Sequence, residues 1–305
     1  MNVINKSLLF GLLGSILLLL TIVFGPSLAP YSMDELHLFK KIPQADGTVK
    51  IEPAPQAPDG TNLLGTDQNG RDVLSKILRG ARITVTFAVL VALLRVVVGL
   101  PLAYLGASFP RTVGWLNEKL SLAFTTIPAV LIVFLVVIVF IFSDAISPTQ
   151  ILLLMSLLIA LVGLFPTAYV IQGKMDSILK SPFMEGQRAI GTGRWRILRK
   201  HIMPHLSTYV MVLLVSEIAQ TLWLAGQLGV MSVFLGGSIL EQGGPINMRY
   251  PEEWAGSIGY SYQAFRSHPM MVLYPVFALS FAILSFHTLA DGIRKHHERK
   301  WGISL

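Results

Sequence analysis

Two charged residues lie inside long apolar stretches of this sequence, where a charge is costly unless it is paired or faces water. Arg95 lies in the apolar stretch at about 83–106, and Glu217 lies in the one at about 206–234. An arginine in this setting can form a structural ion pair or hydrogen bonds with its neighbours, or it can bind a carboxylate that moves along a transport path. Both interpretations stay open for Arg95. Glu217 is its natural partner, so we predict that the two side chains lie close together and treat both as candidates for a translocation path.

Two glycines, Gly65 and Gly70, have the separation found in phosphate-binding loops. The residues that follow are Arg71 and Asp72 rather than the Lys-Ser or Lys-Thr pair of such loops, and no β-strand is predicted before Gly65. A carboxylate at Asp72 would also repel a phosphate. The sequence has no HExxH, nucleophile-elbow or CxxC motif, so it predicts no catalytic residue, no metal site and no cofactor bound by this chain.

A basic segment at 176–205 separates two apolar stretches. Short loops rich in Lys and Arg resist transfer across a membrane, so this segment is expected in the cytoplasm. It contacts either a soluble protein or, as the plainer alternative, anionic lipid. Its cationic side chains are Lys180, Arg188, Arg194, Arg196, Arg199 and Lys200.

The local pattern of the basic segment predicts two short helices. Ser181-Pro182 is typical of a helix start, because the hydroxyl caps the helix and the proline occupies its first position. Gly191 ends or bends this helix, a second helix is predicted at about 193–203, and Pro204 is expected where the chain turns back into the membrane. Two helices that meet at a glycine form a compact unit that could fill a groove on a soluble partner. The apolar side chains that this unit would present are Phe183, Met184, Ile190 and Trp195.

The composition is that of a protein that crosses a membrane several times. Of 305 residues, 53% are hydrophobic and 13% are charged, and the mean hydropathy is +0.62. The net charge of +7 is clustered beside apolar stretches, which favours the membrane surface and a soluble protein partner over nucleic acid. The sequence contains no cysteine, which excludes disulfides and thiolate metal sites.

Six membrane-spanning helices are predicted, which gives an all-α fold in the cell membrane with both termini in the cytoplasm. A kink is expected at Pro128, and a cleaved signal peptide is the alternative for the first span. The predicted spans are 8–29, 83–106, 120–142, 149–171, 206–234 and 270–289.

The segments between the spans complete the predicted organisation. The first outer loop is expected to be irregular at 42–58 and to end in an interfacial amphipathic helix at 72–82. Aromatic side chains in the outer loop at 236–269 either anchor the membrane interface or contact an extracellular protein; they are Tyr250, Trp254, Tyr260 and Tyr262. The predicted parts are a first span at 1–30, an extracellular loop with its interfacial helix at 31–80, a five-helix core at 81–294 that contains the basic segment, and a basic tail at 295–305.

Five residues of the basic segment fall at the spacing of the EAA loop of bacterial ABC importer permeases: Glu185, Gly191, Ile197, His201 and Pro204. Gly186-Gln187 stands where that family usually has two alanines. Three further elements resemble the dipeptide, oligopeptide and nickel branch of the family, and within it the C-type permease subunit. They are LGTDxxGRDVLS at 64–75 followed by Gly80-Ala81-Arg82, PEEWAG at 251–256, and DGIR at 291–294.

The resemblance implies the type I fold of ABC importer permeases and a division of labour between subunits. In that family the EAA loop contains a coupling helix that sits in a cleft of the ATPase subunit. The expected partners are a second related permease, two ATP-binding subunits that hold ATP and Mg, an extracellular solute-binding lipoprotein and membrane lipids. The expected substrates are peptides or related nickel and metallophore complexes. The residues expected to couple this chain to the ATPase are Glu185, Arg188, Gly191, Arg194, Trp195, Ile197, His201 and Pro204.

Two other classes of membrane protein are alternatives. A secondary transporter driven by an ion gradient would show internal repeats and carboxylates or discontinuous helices at mid-membrane, whereas this sequence has one intramembrane glutamate and no obvious repeat. An integral membrane enzyme would need His and Asp clustered at one membrane face. The histidines here are scattered, and His296-His297 is expected to be a solvated pair.

Overall fold

Long helices dominate the computed structural model, which describes residues 5–43, 49–141, 147–189, 193–235, 237–238 and 252–301. Five helices in this described part are long and apolar enough to cross a membrane, and a sixth crossing results if one bent pair of helices counts as a single span. The helices are α1 (Lys6–Leu28), α2 (Val73–Ser108), α3 (Trp115–Thr126), α4 (Ala129–Ile141), α5 (Pro148–Leu179), α6 (Pro182–Ala189), α7 (Arg194–Ile197), α8 (Met203–Val230), α9 (Trp254–Ser261) and α10 (Met270–Trp301).

Shorter elements connect these helices. Two antiparallel hairpins are formed by β1 (Phe39–Pro43) with β2 (Val49–Pro53) and by β3 (Val233–Phe234) with β4 (Gly237–Ser238). The all-α prediction is right for the architecture, but the prediction that 42–58 is irregular is wrong for the strand β2. The remaining elements are π-helical turns at Pro110–Gly114 and Leu198–Ile202 and a 3₁₀ turn at Tyr262–Ala264.

The third predicted span is broken at Pro128, where a kink was expected. The helical segment that ends with α3 makes an angle of 81° with α4. Ile127 between them is extended, with φ −93° and ψ 131°. A proline favours this conformation in the residue before it and has no N–H to donate. α3 also begins at Trp115, before the predicted start of the span at 120.

The predicted interfacial helix at 72–82 and the second span form one unbroken helix, α2. Asp72 caps its start, where the Ser75 N–H donates to Asp72 Oδ2 at 2.7 Å. The helix has 36 residues, which corresponds to about 54 Å, well beyond the roughly 30 Å of a hydrocarbon core. Its charged first turns therefore continue the axis of the span and do not form a separate helix.

Two other helices are longer than predicted, and α8 begins and ends a few residues earlier than its predicted span. α5 continues to Leu179, so the first residues of the basic segment belong to this span. α8 begins at Met203, so Pro204 lies in the first turn of this span, close to the position where the chain was expected to re-enter the membrane. A proline in the first turn of a helix is tolerated, because the N–H that it lacks would have no intrahelical partner there. α10 continues through most of the predicted basic tail to Trp301.

The helices pack around α2, which contacts α1, α5 and α8, while α10 contacts α1 and α8. Buried apolar side chains form three clusters. The first joins α2, α4, α5 and α8, and the second joins α1, α2, α8, α9 and α10. The third joins the ends of α2 and α5 to α6, α7 and the start of α8, so the basic segment is packed onto the bundle.

Candidate functional site

Arg95 and Glu217 form a buried ion pair between α2 and α8. Arg95 Nη1 lies 2.7 Å from Glu217 Oε2, and the two side chains are only 4% and 6% exposed. Arg95 Nη2 donates to the Ile159 carbonyl at 2.6 Å, and Thr167 Oγ1 donates to Glu217 Oε1 at 2.8 Å. The predicted proximity of the two charged residues is confirmed. Because both additional bonds come from α5, the pair fastens three helices together.

The close approach of α5 encloses the Arg95 guanidinium. A Cβ added to Gly163 would lie 2.2 Å from Arg95 Cζ, so only glycine leaves room for the side chain at this point. Among the described residues, Arg95 Nε has no hydrogen-bond partner. A pocket of about 150 Å³ lies beside Arg95 and is lined otherwise by apolar residues. This enclosure favours a structural ion pair, and a role of Arg95 or Glu217 in a translocation path stays a prediction.

The first short helix predicted in the basic segment is α6, which starts at Pro182 directly after Ser181, as predicted. The Met184 N–H donates to the Ser181 carbonyl at 2.9 Å. α7 follows at Arg194, as part of the predicted second helix. Several residues expected to meet an ATPase lie outside the described part of the structure, so their predicted roles stay predictions. These are the whole of Gly191 and the side chains of Glu185, Arg188, Arg194, Trp195 and His201.

The inner face of this segment is apolar and buried. Met184 is 1% exposed, Ile197 6% and Ile202 1%, and they pack with side chains of α2, α5 and α8. The expectation that Met184 is presented to a partner is therefore wrong. Ile197, predicted as a coupling residue, lies on the buried side of the segment and attaches it to the bundle. The outward face is cationic, because Arg196, Arg199 and Lys200 are exposed.

A cleft of about 900 Å³ opens beside the same end of the bundle, a feature that the sequence analysis missed. It lies between the turn that precedes α3, the last turns of α5 and the start of α8. Aromatic side chains and charges of both signs line it. The only signal in the sequence is the mixture of charged and aromatic residues near the ends of the helices. Its lining includes Arg111, Trp115, Glu118, Tyr169, Lys174 and Tyr209.

The glycine-rich motif at the other end of α2 is a rigid turn. Gly65 and Gly70 have φ of +77° and +75°, which explains their spacing without a phosphate. Asp67 Oδ1 accepts hydrogen bonds from the N–H groups of Asn69 and Arg71, both at 2.9 Å. Asp67 Oδ2 accepts one from Lys76 Nζ at 2.8 Å, and this ion pair is almost fully buried. The conformation of the turn is therefore stabilised by the carboxylate of Asp67.

α9 fastens this turn to the bundle. Tyr260 donates its hydroxyl proton to Asn69 Oδ1 at 2.7 Å, and its ring lies under Lys76 Nζ at 5.6 Å from the centroid. Burial, together with the nearby charge of Asp67, raises the pKa of Tyr260 to about 12. Trp254 donates from Nε1 to the Ile77 carbonyl at 3.0 Å.

These contacts correct part of the prediction for the outer aromatics. Trp254 is 2% exposed and Tyr260 is 6% exposed, so neither anchors the membrane interface or meets another protein. Tyr262 is 62% exposed and stacks on Phe265. Tyr250 lies outside the described residues. The loop predicted at 236–269 also contains α9, whose residues are all buried.

Comparison with known proteins identifies related sequences over most of the chain. A protein-family model described as "Binding-protein-dependent transport system inner membrane component" matches residues 95–303. That range includes the ion pair, the basic segment and α9. It begins after the glycine-rich turn, which therefore stands outside the match.

Three curated relatives match at low identity over long alignments. The dipeptide transport system permease protein DppC of Alkalihalophilus pseudofirmus is 23% identical over 290 residues, which cover 95% of this chain and 84% of the relative. The peptide transport system permease protein SapC of Escherichia coli is 27% identical over 297 residues, with 95% and 89% covered. The glutathione transport system permease protein GsiD of Pectobacterium atrosepticum is 22% identical over 243 residues, with 78% and 73% covered.

Proposed function

Because this chain belongs to the family of binding-protein-dependent transport system inner membrane components, we propose that it is the membrane permease subunit of an ATP-driven importer of peptides. The peptide substrate is inferred from the names of relatives, which include a dipeptide, a peptide and a glutathione transport permease. Neither the family nor these relatives supports the secondary-transporter alternative. Nickel and metallophore complexes stay as expectations from the resemblance alone.

The observation that carries the proposal is the way the basic segment is attached to the bundle. Its described apolar side chains, among them Met184, Ile197 and Ile202, are buried against α2, α5 and α8. Arg196, Arg199 and Lys200 face outward. A partner that binds the cationic face can therefore move the segment only together with the helices beneath it. This is the property that a coupling element needs.

The energy for transport comes from outside this chain. We assign ATP and Mg to two partner ATPase subunits and propose that their closure pushes on α6 and α7. Glu185, Arg188, Gly191, Arg194, Trp195, His201 and Pro204 keep their predicted roles in this contact. Ile197 acts from the buried side of the segment. A second related permease completes the pore, and a solute-binding lipoprotein delivers the substrate from outside.

The orientation that this function requires has both termini and the basic segment in the cytoplasm. The natural chain has no cysteine, so single cysteines can report the side of the membrane without background. Leu63→Cys tests the loop between α1 and α2, where Leu63 is 61% exposed, and Arg196→Cys tests the basic segment. An impermeant thiol reagent added to intact cells should label only the first. Labelling of Arg196→Cys in intact cells would overturn the proposal.

The coupling role is tested in the complete transporter with Glu185→Ala and Gly191→Val. Both variants should insert and assemble but lose most ATP-dependent peptide uptake. Gly186→Ala is the matched control, because a Cβ at Gly186 meets no atom within 4 Å. Normal uptake in both test variants would rule out docking through this segment.

A further inference from the structure

The hairpin of β1 and β2 has its polar and apolar faces reversed. Side chains alternate across a strand, and a hairpin on a protein surface normally turns its polar face to water. In the observed register, Phe39 pairs with Pro53, Lys41 with Ile51, and Pro43 with Val49. All six side chains of this face are exposed, and all of them except Lys41 are apolar. Phe39 is 69% exposed, Ile51 59% and Val49 56%.

The opposite face is turned toward the protein although it carries charges. Lys40 and Glu52 face each other across the hairpin and are half-buried, as is Ile42, whose partner Lys50 is exposed. Lys40 forms an ion pair with Asp59, and this contact holds the pKa of Asp59 well below its usual range. The hairpin is therefore fixed with its apolar face outward. An exposed apolar surface of this kind is typical of an interaction site.

The base of the hairpin is tied to the glycine-rich turn. The His37 N–H donates to the Gly70 carbonyl at 2.7 Å, and the Ala54 N–H donates to the Leu38 carbonyl at 2.8 Å. Gln56 Nε2 donates to the His37 carbonyl at 2.8 Å. Since the turn is fastened to α9 and to α2, the hairpin is connected to the membrane bundle by hydrogen bonds at each step.

The position of this base along α2 places it beyond the hydrocarbon core. The last turn of α1 lies level with Leu78, because a Cβ on Gly25 would come within 2.4 Å of the Leu78 carbonyl oxygen. Gly70 lies before the start of α2 at Val73, and the five helical steps from Val73 to Leu78 already rise by roughly 8 Å. A soluble protein is therefore a better occupant of the hairpin face than a lipid chain.

We propose that the exposed face of this hairpin is a docking surface for the soluble substrate-binding protein on which the family depends. This inference rests on the proposed function, because it requires the loop between α1 and α2 to lie outside the cell. The matching face of the partner is apolar and carries a carboxylate, since Lys41 is the one charge on the exposed face of the hairpin. A force applied to the hairpin by docking would pass to the glycine-rich turn through their shared hydrogen bonds. From the turn it would pass through Tyr260 to α9.

The test measures binding of the purified cognate binding protein to the complete transporter in lipid nanodiscs. Phe39→Ser combined with Ile51→Ser removes apolar surface without disturbing a core, because both side chains are exposed. Affinity should fall about tenfold or more, while ATPase activity without binding protein stays unchanged. Leu63→Ser is the matched control, since Leu63 is 61% exposed in the same outer segment but outside the hairpin.

The charge of the surface is tested by Lys41→Glu, and Lys50→Glu is the matched control because Lys50 is exposed on the opposite face, where it pairs with Ile42. With Lys41→Glu, affinity should fall severalfold at low salt, and the difference from the wild type should shrink as ionic strength rises. Affinities within twofold of the wild type in both the double serine variant and Lys41→Glu would overturn the inference. If the hairpin variants lose the other subunits during purification, the hairpin belongs to an interface within the assembly. If the loss of affinity in the variants changes with the anionic lipid content of the nanodisc, the hairpin face binds lipid. Either of these two results also overturns the inference.

The wild-type complex separates this inference from the proposed function. If uptake by the wild type does not require ATP and the binding protein, the proposed function fails and the docking surface fails with it. If uptake requires both but the hairpin variants bind normally, only the docking surface is wrong.

Discussion

Arg95 Nη1 and Glu217 Oε2 lie 2.7 Å apart although 122 residues separate them in the chain. The pair is buried and joins α2 to α8, and Thr167 of α5 donates to the second carboxylate oxygen. A single polar cross-link thus sets the relative position of three spans. Rigid-body movement of this group is what transmission from the basic segment would require.

Removing one partner of this ion pair should destabilise the protein strongly. Glu217→Ala leaves the Arg95 guanidinium buried without its counter-charge, which costs roughly 3–5 kcal/mol. Thermal unfolding of the purified complex measures the loss. Arg95→Met combined with Glu217→Met removes both charges and should recover most of the stability.

Peptide uptake by the double methionine variant separates the two interpretations of Arg95. Uptake close to that of the wild type identifies a structural pair. A stable double variant without uptake would show that at least one of the two charged groups serves translocation directly.

Gly163 should tolerate no side chain, because of its distance to the same guanidinium. A Cβ there would lie 2.2 Å from Arg95 Cζ, and the guanidinium cannot move aside while Nη1 and Nη2 hold their hydrogen bonds. Gly163→Ala should cost roughly 1–3 kcal/mol through overpacking. Unfolding midpoints of the purified complex measure this change.

The same helix provides a matched control for that substitution. Gly173 also lies in α5, and a Cβ there meets no atom within 4 Å. Gly173→Ala should be neutral or stabilising, because alanine favours a helix over glycine by about 1 kcal/mol. Equal effects of the two substitutions would contradict the close packing of α5 against Arg95.

The sequence was sufficient where one local property decides the structure. Apolar length identified five of the six predicted spans as single long helices. Ser181-Pro182 marked the start of α6, and Pro128 marked the break between α3 and α4. Each of these depends on chain composition or on proline geometry within a few residues. Arg95 and Glu217 could be paired because few partners are available to a charge inside an apolar span.

The sequence was insufficient where distant contacts decide the structure. Met184 has a helical neighbourhood that fits an outward or an inward orientation, and its burial depends on α2 and α5. Trp254 is buried because its N–H groups meet Thr84 and Ile77, about 170 residues earlier in the chain. From its charges alone, the start of α2 resembles a surface helix. The sequence does not show that Lys76 is buried in an ion pair with Asp67.

Met184 should be needed to hold the basic segment against the bundle. Its side chain is 1% exposed and packs in the cluster that joins α6 and α7 to the bundle. Met184→Ala opens a cavity, with a cost of roughly 2–5 kcal/mol that is concentrated on this short segment. ATP-dependent uptake should fall severalfold, while membrane insertion stays normal.

Met203→Ala is the matched control for this effect, because Met203 lies at the start of α8 and is 40% exposed. It should leave uptake unchanged. If Met184→Ala transports as well as Met203→Ala, the packed attachment of the segment is not what transmits the movement.

Glu253 should make the stability of the region around α9 depend on pH. It caps α9 from a position that is 1% exposed. Burial raises its pKa from 4.5 to about 7, the N–H groups of Gly256 and Ala255 oppose this change, and the charge of Glu252 adds to it. The folded state therefore binds more protons than the unfolded state between these two values. The stabilisation is complete below pH 4.5 and is lost as pH rises through about 7.

The expected loss is on the order of 3 kcal/mol between pH 5 and pH 8, measured as a falling unfolding midpoint of the purified complex. Glu253→Gln cannot ionise and keeps a side-chain oxygen for the cap, so its midpoint should change less over the same range. The difference between the two proteins isolates Glu253 from other titrating groups. Parallel pH profiles would show that Glu253 is ionised in the folded protein throughout, and that its buried carboxylate is stabilised by the amides at the start of α9.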